Sequence, residues 1–124
     1  MLVQMQFEAQ RSGYRAQSPK SQDFVIVAGG EPVGRLWLDE GGDAVRVIDI
    51  VIAPGQQGRG IGRAVLEQVI GKAESASKAV RLYVDRMNGR AFELYRRLGF
   101  TVTSEDEIRF EMVRAPKERA GRGI

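Results

Sequence analysis

The stretch Ile48-Asp49-Ile50-Val51-Ile52-Ala53-Pro54-Gly55-Gln56-Gln57-Gly58-Arg59-Gly60-Ile61-Gly62 decides how this chain is read. An apolar, β-branched run stops at a proline, a glycine-rich turn follows, and an amphipathic helix begins. Gly58, Gly60 and Gly62 leave a length of backbone without Cβ atoms. Several N–H groups can therefore point at one anion while the following helix adds its positive end. The pattern predicts a cradle for a phosphorylated ligand. It is not a nucleotide P-loop, which needs Gly-Lys-Ser/Thr where this chain has Gly62-Arg63-Ala64. A dinucleotide fingerprint fits poorly as well. It requires glycine where Arg63 stands and an acidic residue about 20 positions on, where Ser77 to Val84 contain none.

Outward from this turn the chain reads as one domain. Its 124 residues are too few for two hydrophobic cores. With 43% hydrophobic and 28% charged residues it falls in the ordinary globular range, and its apolar runs are far shorter than the roughly 20 residues that span a bilayer. The first residues do not read as a secretion signal, so the expectation is a cytoplasmic protein without membrane partners. The chain has no cysteine and no histidine, which excludes disulfides and thiolate or imidazole metal sites. No metal is expected. Covalent catalysis by cysteine is excluded too, leaving carboxylates, tyrosine, lysine, serine, water and backbone groups. The net charge of +3 suits an anionic ligand, but much of it lies in Arg114 to Arg122. That tail alone does not make nucleic acid the expected partner, because no stacking platform or reading helix accompanies it.

Phe24 to Val27 and Val33 to Leu38, joined by Gly29-Gly30-Glu31-Pro32, read as a hairpin. Val45 to Ile52 reads as a central strand covered on both faces. From Ile61 to about Ala76 the apolar positions Val65, Leu66, Val69, Ile70 and Ala73 recur at helical spacing. Ala79 to Val84 reads as another buried strand. Asn88 can cap a helix carrying Ala91, Leu94, Tyr95 and Leu98, and Gly99 ends it. Phe100 to Thr103 and Ile108 to Val113 read as closing strands, so the sheet is expected to be mixed. Residues 1 to 16 read as an amphipathic helix through Val3, Phe7, Gln10 and Tyr14, and 115 to 124 as a disordered basic tail behind a domain of residues 1 to 114. Gly-Arg-Gly-Ile occurs at 58 to 61 and again at 121 to 124; only the first copy joins a strand to a helix.

Taken together, Gln57-Gly58-Arg59-Gly60-Ile61-Gly62 after Ile50-Val51-Ile52-Ala53-Pro54, and Asn88-Gly89-Arg90-Ala91-Phe92-Glu93-Leu94-Tyr95-Arg96-Arg97-Leu98-Gly99-Phe100, resemble the two signatures of the GNAT superfamily of N-acetyltransferases. The likeness runs from about Phe24 to Val113. It implies an α/β (α+β) fold with a mixed, mostly antiparallel central sheet flanked by helices, shortened at its amino end. It further implies acetyl-coenzyme A as co-substrate, an amine of a small molecule or peptide as acceptor, and direct transfer in a ternary complex.

By the same resemblance, Gln57 to Gly62 hold the diphosphate, with Arg59 or Arg63 adding a charged contact. Ile50, Val51 and Ile52 pair with the pantetheine arm and offer an N–H to the thioester carbonyl. Asn88 approaches the cofactor, and Tyr95 protonates the departing thiolate. Read from the residues alone, Tyr95 is equally a core aromatic and Asn88 equally a helix cap. Many relatives carry a glutamate on the strand where this chain has Tyr83. The first candidate for a base is therefore Asp49, expected to be buried in its strand with a raised pKa; Asp85 is the second. Read from the residues alone, Asp49 is equally a hydrogen-bond acceptor for a neighbouring side chain. A catalytically weak acetyl-coenzyme A-binding regulatory module is the alternative function. The short amino end makes a homodimer the expected way of covering an exposed sheet edge.

Overall fold

The computed structural model describes residues 1–8 and 21–117. These form strands β1 (Val3–Glu8), β2 (Ser21–Ala28), β3 (Glu31–Asp39) and β4 (Ala44–Ile52), helix α1 (Ile61–Ser75), strand β5 (Ala79–Asp85), helix α2 (Gly89–Arg97), and strands β6 (Thr101–Glu105) and β7 (Arg109–Arg114). The strands make one sheet in the order β1-β2-β3-β4-β5-β7-β6. Every pairing is antiparallel except β4 with β5, which are parallel and joined through α1. The expected mixed, mostly antiparallel sheet is what the chain forms.

Both helices lie on one face. Val65, Leu66, Val69 and Ala73 of α1 and Tyr95 of α2 share a single core with Val45, Val47, Val80, Leu82 and Met112. Alternation along the strands sends Arg35, Arg81, Tyr83 and Glu111 to the opposite face. Each helix starts at a residue suited to it. Gly60, at φ 78°, precedes α1, and the Asn88 side chain accepts the Ala91 N–H at 3.1 Å. Such a cap contributes about 1 kcal/mol. Gly99, at φ 96°, turns the chain out of α2, as expected of a glycine there.

Two expectations are corrected. Residues 3 to 8 are not helical. Val3, Met5 and Phe7 alternate with Gln4, Gln6 and Glu8, and this period of two is satisfied by full pairing with β2 from Val3↔Ala28 to Glu8↔Asp23. The fold thus has a first strand, and the remainder of the expected helix, 9 to 16, lies outside the described residues. The segment 118 to 124 of the expected tail also lies outside them.

The second correction concerns β4, which is central but covered on one face only. Its register against β3 jumps from Trp37↔Asp49 to Leu38↔Val47, so Ile48 is an extra residue, a β-bulge. Val45 and Val47 point into the core before the bulge, and Ile50 and Ile52 pack against it afterwards. Asp49 and Val51 consequently face outward and are exposed. Beyond the bulge β4 is pressed against β3, where a Cβ at Gly34 would lie 2.2 Å from the Val51 carbonyl oxygen. Only glycine fits there.

This contact predicts opposite effects at two glycines. Gly34→Ala should lower stability by about 1–3 kcal/mol, the usual cost of overpacking. Gly71→Ala, in the interior of α1 with open space around it, should raise stability by roughly 0.5–1 kcal/mol. Thermal and urea denaturation of the two variants measure both, and an unchanged melting temperature for Gly34→Ala would contradict the close approach.

Candidate active site

β4 and β5 pair only from Ala44↔Ala79 to Val47↔Leu82 and then part. The parting leaves a wedge between Ile48–Ile52 and Tyr83–Asp85, because each strand is held by its other neighbour, β3 and β7 respectively. The Ala53 N–H donates to the Val33 carbonyl at 2.8 Å, and the Val51 carbonyl lies against Gly34. Residues 51 and 53 thus turn their peptide groups toward β3. Strand alternation then turns those of Ile50 and Ile52 toward the wedge. One of these groups has a partner, since Gln57 Nε2 donates to the Ile52 carbonyl at 3.1 Å.

On the helical face the wedge opens into a cavity of about 590 Å³. Its walls include Ile50, Ile52, Gln57, Gly58, Gly60, Ile61, Gly62, Arg63, Asn88 and Tyr95, so one space gathers most of the residues singled out from the sequence. Gly58 and Gly60, at φ 81° and 78°, hold the turn in the left-handed region. A Cβ on Gly60 would meet no atom within 4 Å, so the turn offers bare backbone to the cavity rather than packing against a neighbour. The N-termini of α1 and α2 both border this space, and each brings partial positive charge.

Three of the expected site residues lie elsewhere. Arg59 donates to the Gln56 side chain and reaches the Met1 sulfur at 3.2 Å. Asp49 and Val51 project from the outer face. The expected burial of Asp49 is therefore wrong; the bulge moves its carboxylate from the core side to solvent. Asp85 is also exposed, with one carboxylate oxygen accepting the Met87 N–H at 2.7 Å. Tyr83 donates to Glu111 Oε2 at 3.2 Å, and Arg109 stacks over its ring at 4.0 Å from the centroid.

Tyr95 is buried at 9% exposure and lies 5.8 Å, centroid to centroid, from Phe100. It is a core aromatic and a wall of the cavity at once. Burial pushes its phenol above the ordinary value near 10, and the Asp49 charge adds to the effect. The hydroxyl thus stays protonated through the neutral range.

Arg90 and Arg97, on α2, also line the cavity and were not expected from the sequence. The only local signal was the run of arginines among the α2 residues. Among the described residues, no group of three or more histidine, cysteine, aspartate or glutamate side chains is arranged to hold a metal, and no helix is long and apolar enough to cross a membrane.

The profile of the Acetyltransferase (GNAT) family matches residues 3–100, which run from β1 through both cavity-forming helices. This chain belongs to the GNAT family. Mycothiol acetyltransferase of Propionibacterium freudenreichii subsp. shermanii is 31% identical over 104 residues, which cover 73% of this GNAT chain and 33% of that protein. The chain thus spans about a third of that relative's length. Among solved structures, a GNAT acetyltransferase from Elizabethkingia anophelis with acetyl-CoA bound superposes with a TM-score of 0.76 at 13% identity, covering 91% of this chain and 97% of that one. PaiA N-acetyltransferase from Thermoplasma acidophilum, in complex with coenzyme A, superposes with a TM-score of 0.69 at 23% identity, covering 82% and 65%. At these identities the two structures share the GNAT fold.

The Tyr95 environment predicts a pH effect with a definite sign. Its folded pKa is raised, so the stabilisation from keeping the phenol neutral is complete below the unfolded value near 10 and is lost as pH rises through the folded value. In an ultraviolet titration of the three tyrosines, one should ionise above the ordinary range, and Tyr95→Phe should remove that late step. Ionisation of all three together near pH 10 in the folded protein would contradict it.

Proposed function

We propose that this chain is an N-acetyltransferase that moves the acetyl group of acetyl-coenzyme A to an amine by direct attack in a ternary complex. The observation that carries the reading is the wedge between β4 and β5, bordered on one side by the glycine turn and Tyr95 and on the other by Asp49. A cradle of backbone N–H groups free of Cβ atoms fits a diphosphate, and each helix terminus adds roughly 0.3–1 kcal/mol of favourable interaction with an anion. Gln57 to Gly62 and Arg63 would hold the diphosphate, and Asn88 the pantetheine arm. Val51 has its peptide facing β3 and would contribute through the position of the strand. Arg59 would add long-range attraction only.

Bound acetyl-coenzyme A supplies the activated acyl carbon. Of the Ile50 and Ile52 N–H groups, both turned toward the wedge, one would donate to the acyl oxygen as negative charge gathers there and the other would pair with the pantetheine arm. Tyr95 would give its proton to the sulfur as the C–S bond breaks and the new C–N bond forms. Asp49 would draw a cationic amine to the outer face and take the proton it loses, directly or through water. Acidic residues Glu8, Asp23, Asp39, Asp49, Asp85 and Glu111 outnumber Arg35, Arg46, Arg81 and Arg109 on that face, which favours a positively charged acceptor. A homodimer formed through a sheet edge is part of this reading, since β6 is an edge strand exposed along its whole length. Its expected compartment is the cytoplasm.

A second reading, a binding module with weak chemistry, is favoured by Tyr83, which stands where many relatives have a glutamate and is already engaged by Glu111 and Arg109. A panel of polyamines, amino acids, aminoglycosides and peptide N-termini, assayed for thiol release, separates the two. The enzyme reading expects release with at least one amine, and Tyr95→Phe should then cut kcat by about a hundredfold or more with little change in acetyl-coenzyme A affinity. Coenzyme A at 100 times its dissociation constant should stabilise the wild type by about 2.7 kcal/mol. Gly60→Trp should abolish that stabilisation. Sedimentation at micromolar concentration should show a dimer, and a monomer there would remove the dimer from the proposal.

A further inference from the structure

Arg90 is an unassigned cation at the phosphate cradle. It is the second residue of α2, lines the same cavity as the glycine turn, and is exposed. Its Nη2 lies 3.7 Å from the place a Cβ on Gly58 would occupy, although 32 positions separate the two in sequence. Of the other arginines nearby, Arg63 is engaged with Glu67 at 3.9 Å, Arg96 with Glu93 at 2.9 Å, and Arg59 with the Gln56 side chain, while Arg97, which also lines the cavity, stands at the far end of α2 from the helix N-terminus. Among the described residues, no hydrogen bond or ion pair is formed by the Arg90 guanidinium. An uncommitted planar donor at the mouth of a turn of bare backbone N–H groups has the chemistry of a bidentate phosphate clamp.

We infer that Arg90 closes the cradle from the α2 side and holds the diphosphate of coenzyme A against the Gly58 turn, so that the ligand's phosphates bridge the N-termini of both helices. This rests on the acetyl-coenzyme A reading above. It assigns Arg90 to the diphosphate rather than to the 3′-phosphate, because the guanidinium stands at Gly58, within the turn itself. The turn and the start of α1 contribute backbone N–H groups to the cavity wall, and Arg90 adds a side-chain donor from α2. Placed on α2, the same helix that carries Tyr95, the clamp also ties the register of the bound ligand to the position of the phenol.

Calorimetric titration with coenzyme A, dephospho-coenzyme A and pantetheine tests the assignment without reference to turnover. Arg90→Gln should weaken coenzyme A and dephospho-coenzyme A by the same factor, about tenfold to hundredfold, and leave pantetheine unchanged. Arg90→Lys, which keeps the charge but loses the fork, should fall between the wild type and Arg90→Gln. Arg96→Gln, on the same helix but paired with Glu93, should bind all three ligands as the wild type does. Loss confined to coenzyme A would move Arg90 to the 3′-phosphate and overturn the diphosphate assignment. Undiminished affinity in both Arg90 variants would overturn the clamp altogether while leaving the acetyl-coenzyme A reading intact. Failure of the wild type to bind coenzyme A would sink that reading and the clamp with it. Melting of the unliganded variants at the wild-type temperature establishes that any loss is one of contact.

Discussion

The parting of β4 from β5 is the constraint on which the rest of this molecule depends. Two parallel strands paired along their whole length would satisfy their peptide groups on each other and leave no room between them. Here β4 is drawn to β3 by an approach so close that Gly34 has no space for a side chain, while β5 stays with β7 through six register pairs. After Val47↔Leu82 the two strands follow different neighbours. The peptide groups of Ile50 and Ile52 are turned toward the opening, where a ligand can complete what a strand would otherwise have supplied. The glycine turn sits at the end of the strand that moved, and α2 begins at the end of the strand that stayed. The geometry of the sheet therefore brings two helix N-termini to one cavity.

The two faces of the opening differ in charge. On the helical side stand Arg63, Arg90 and Arg97, with Glu93 as the acidic residue in the cavity wall. On the outer side Arg35 is occupied by Glu8 at 2.5 Å and Asp23 at 3.3 Å, and Arg81 and Tyr83 are turned to Glu111. The arginines of that face are neutralised by their partners, and Asp49 and Asp85 tip the balance toward negative. A polyanionic ligand and a cationic one would thus be attracted to opposite sides of the same gap, which keeps them from competing for one surface.

Much of this was legible in the sequence wherever the signal was local. The glycines of the turn, the Asn88 cap, the Gly99 exit and the helical spacing around Tyr95 each depend on residues a few positions apart, and each stands where expected. The amino end misled because Val3, Phe7, Gln10 and Tyr14 fit a period of 3.6 while Val3, Met5 and Phe7 fit a period of two. Pairing with β2, invisible to either pattern, decided for the strand. Arg90 was missed for a related reason: its approach to Gly58 is a product of the fold, and nothing in the local run around it distinguishes it from Arg96 or Arg97.

Asp49 shows how one extra residue changes a role. Uninterrupted alternation from Val45 and Val47 would carry residue 49 into the core, as the sequence suggested, and would leave a carboxylate among apolar side chains at a cost few folds sustain. The same alternation would turn Ile50 and Ile52 outward. The bulge at Ile48 shifts the phase by one, so the two isoleucines line the apolar wall of the cavity and the carboxylate meets solvent on the far side. Its charge still reaches the buried phenol of Tyr95 and, with burial, holds it protonated. A single extra residue therefore sets a carboxylate across the gap from the Tyr95 phenol, with the backbone N–H groups of β4 between them. Ironing out the bulge with Ile48 retained would turn Asp49 inward and Ile50 and Ile52 outward, whereas deleting Ile48 would leave Asp49 opposite Trp37 and facing outward.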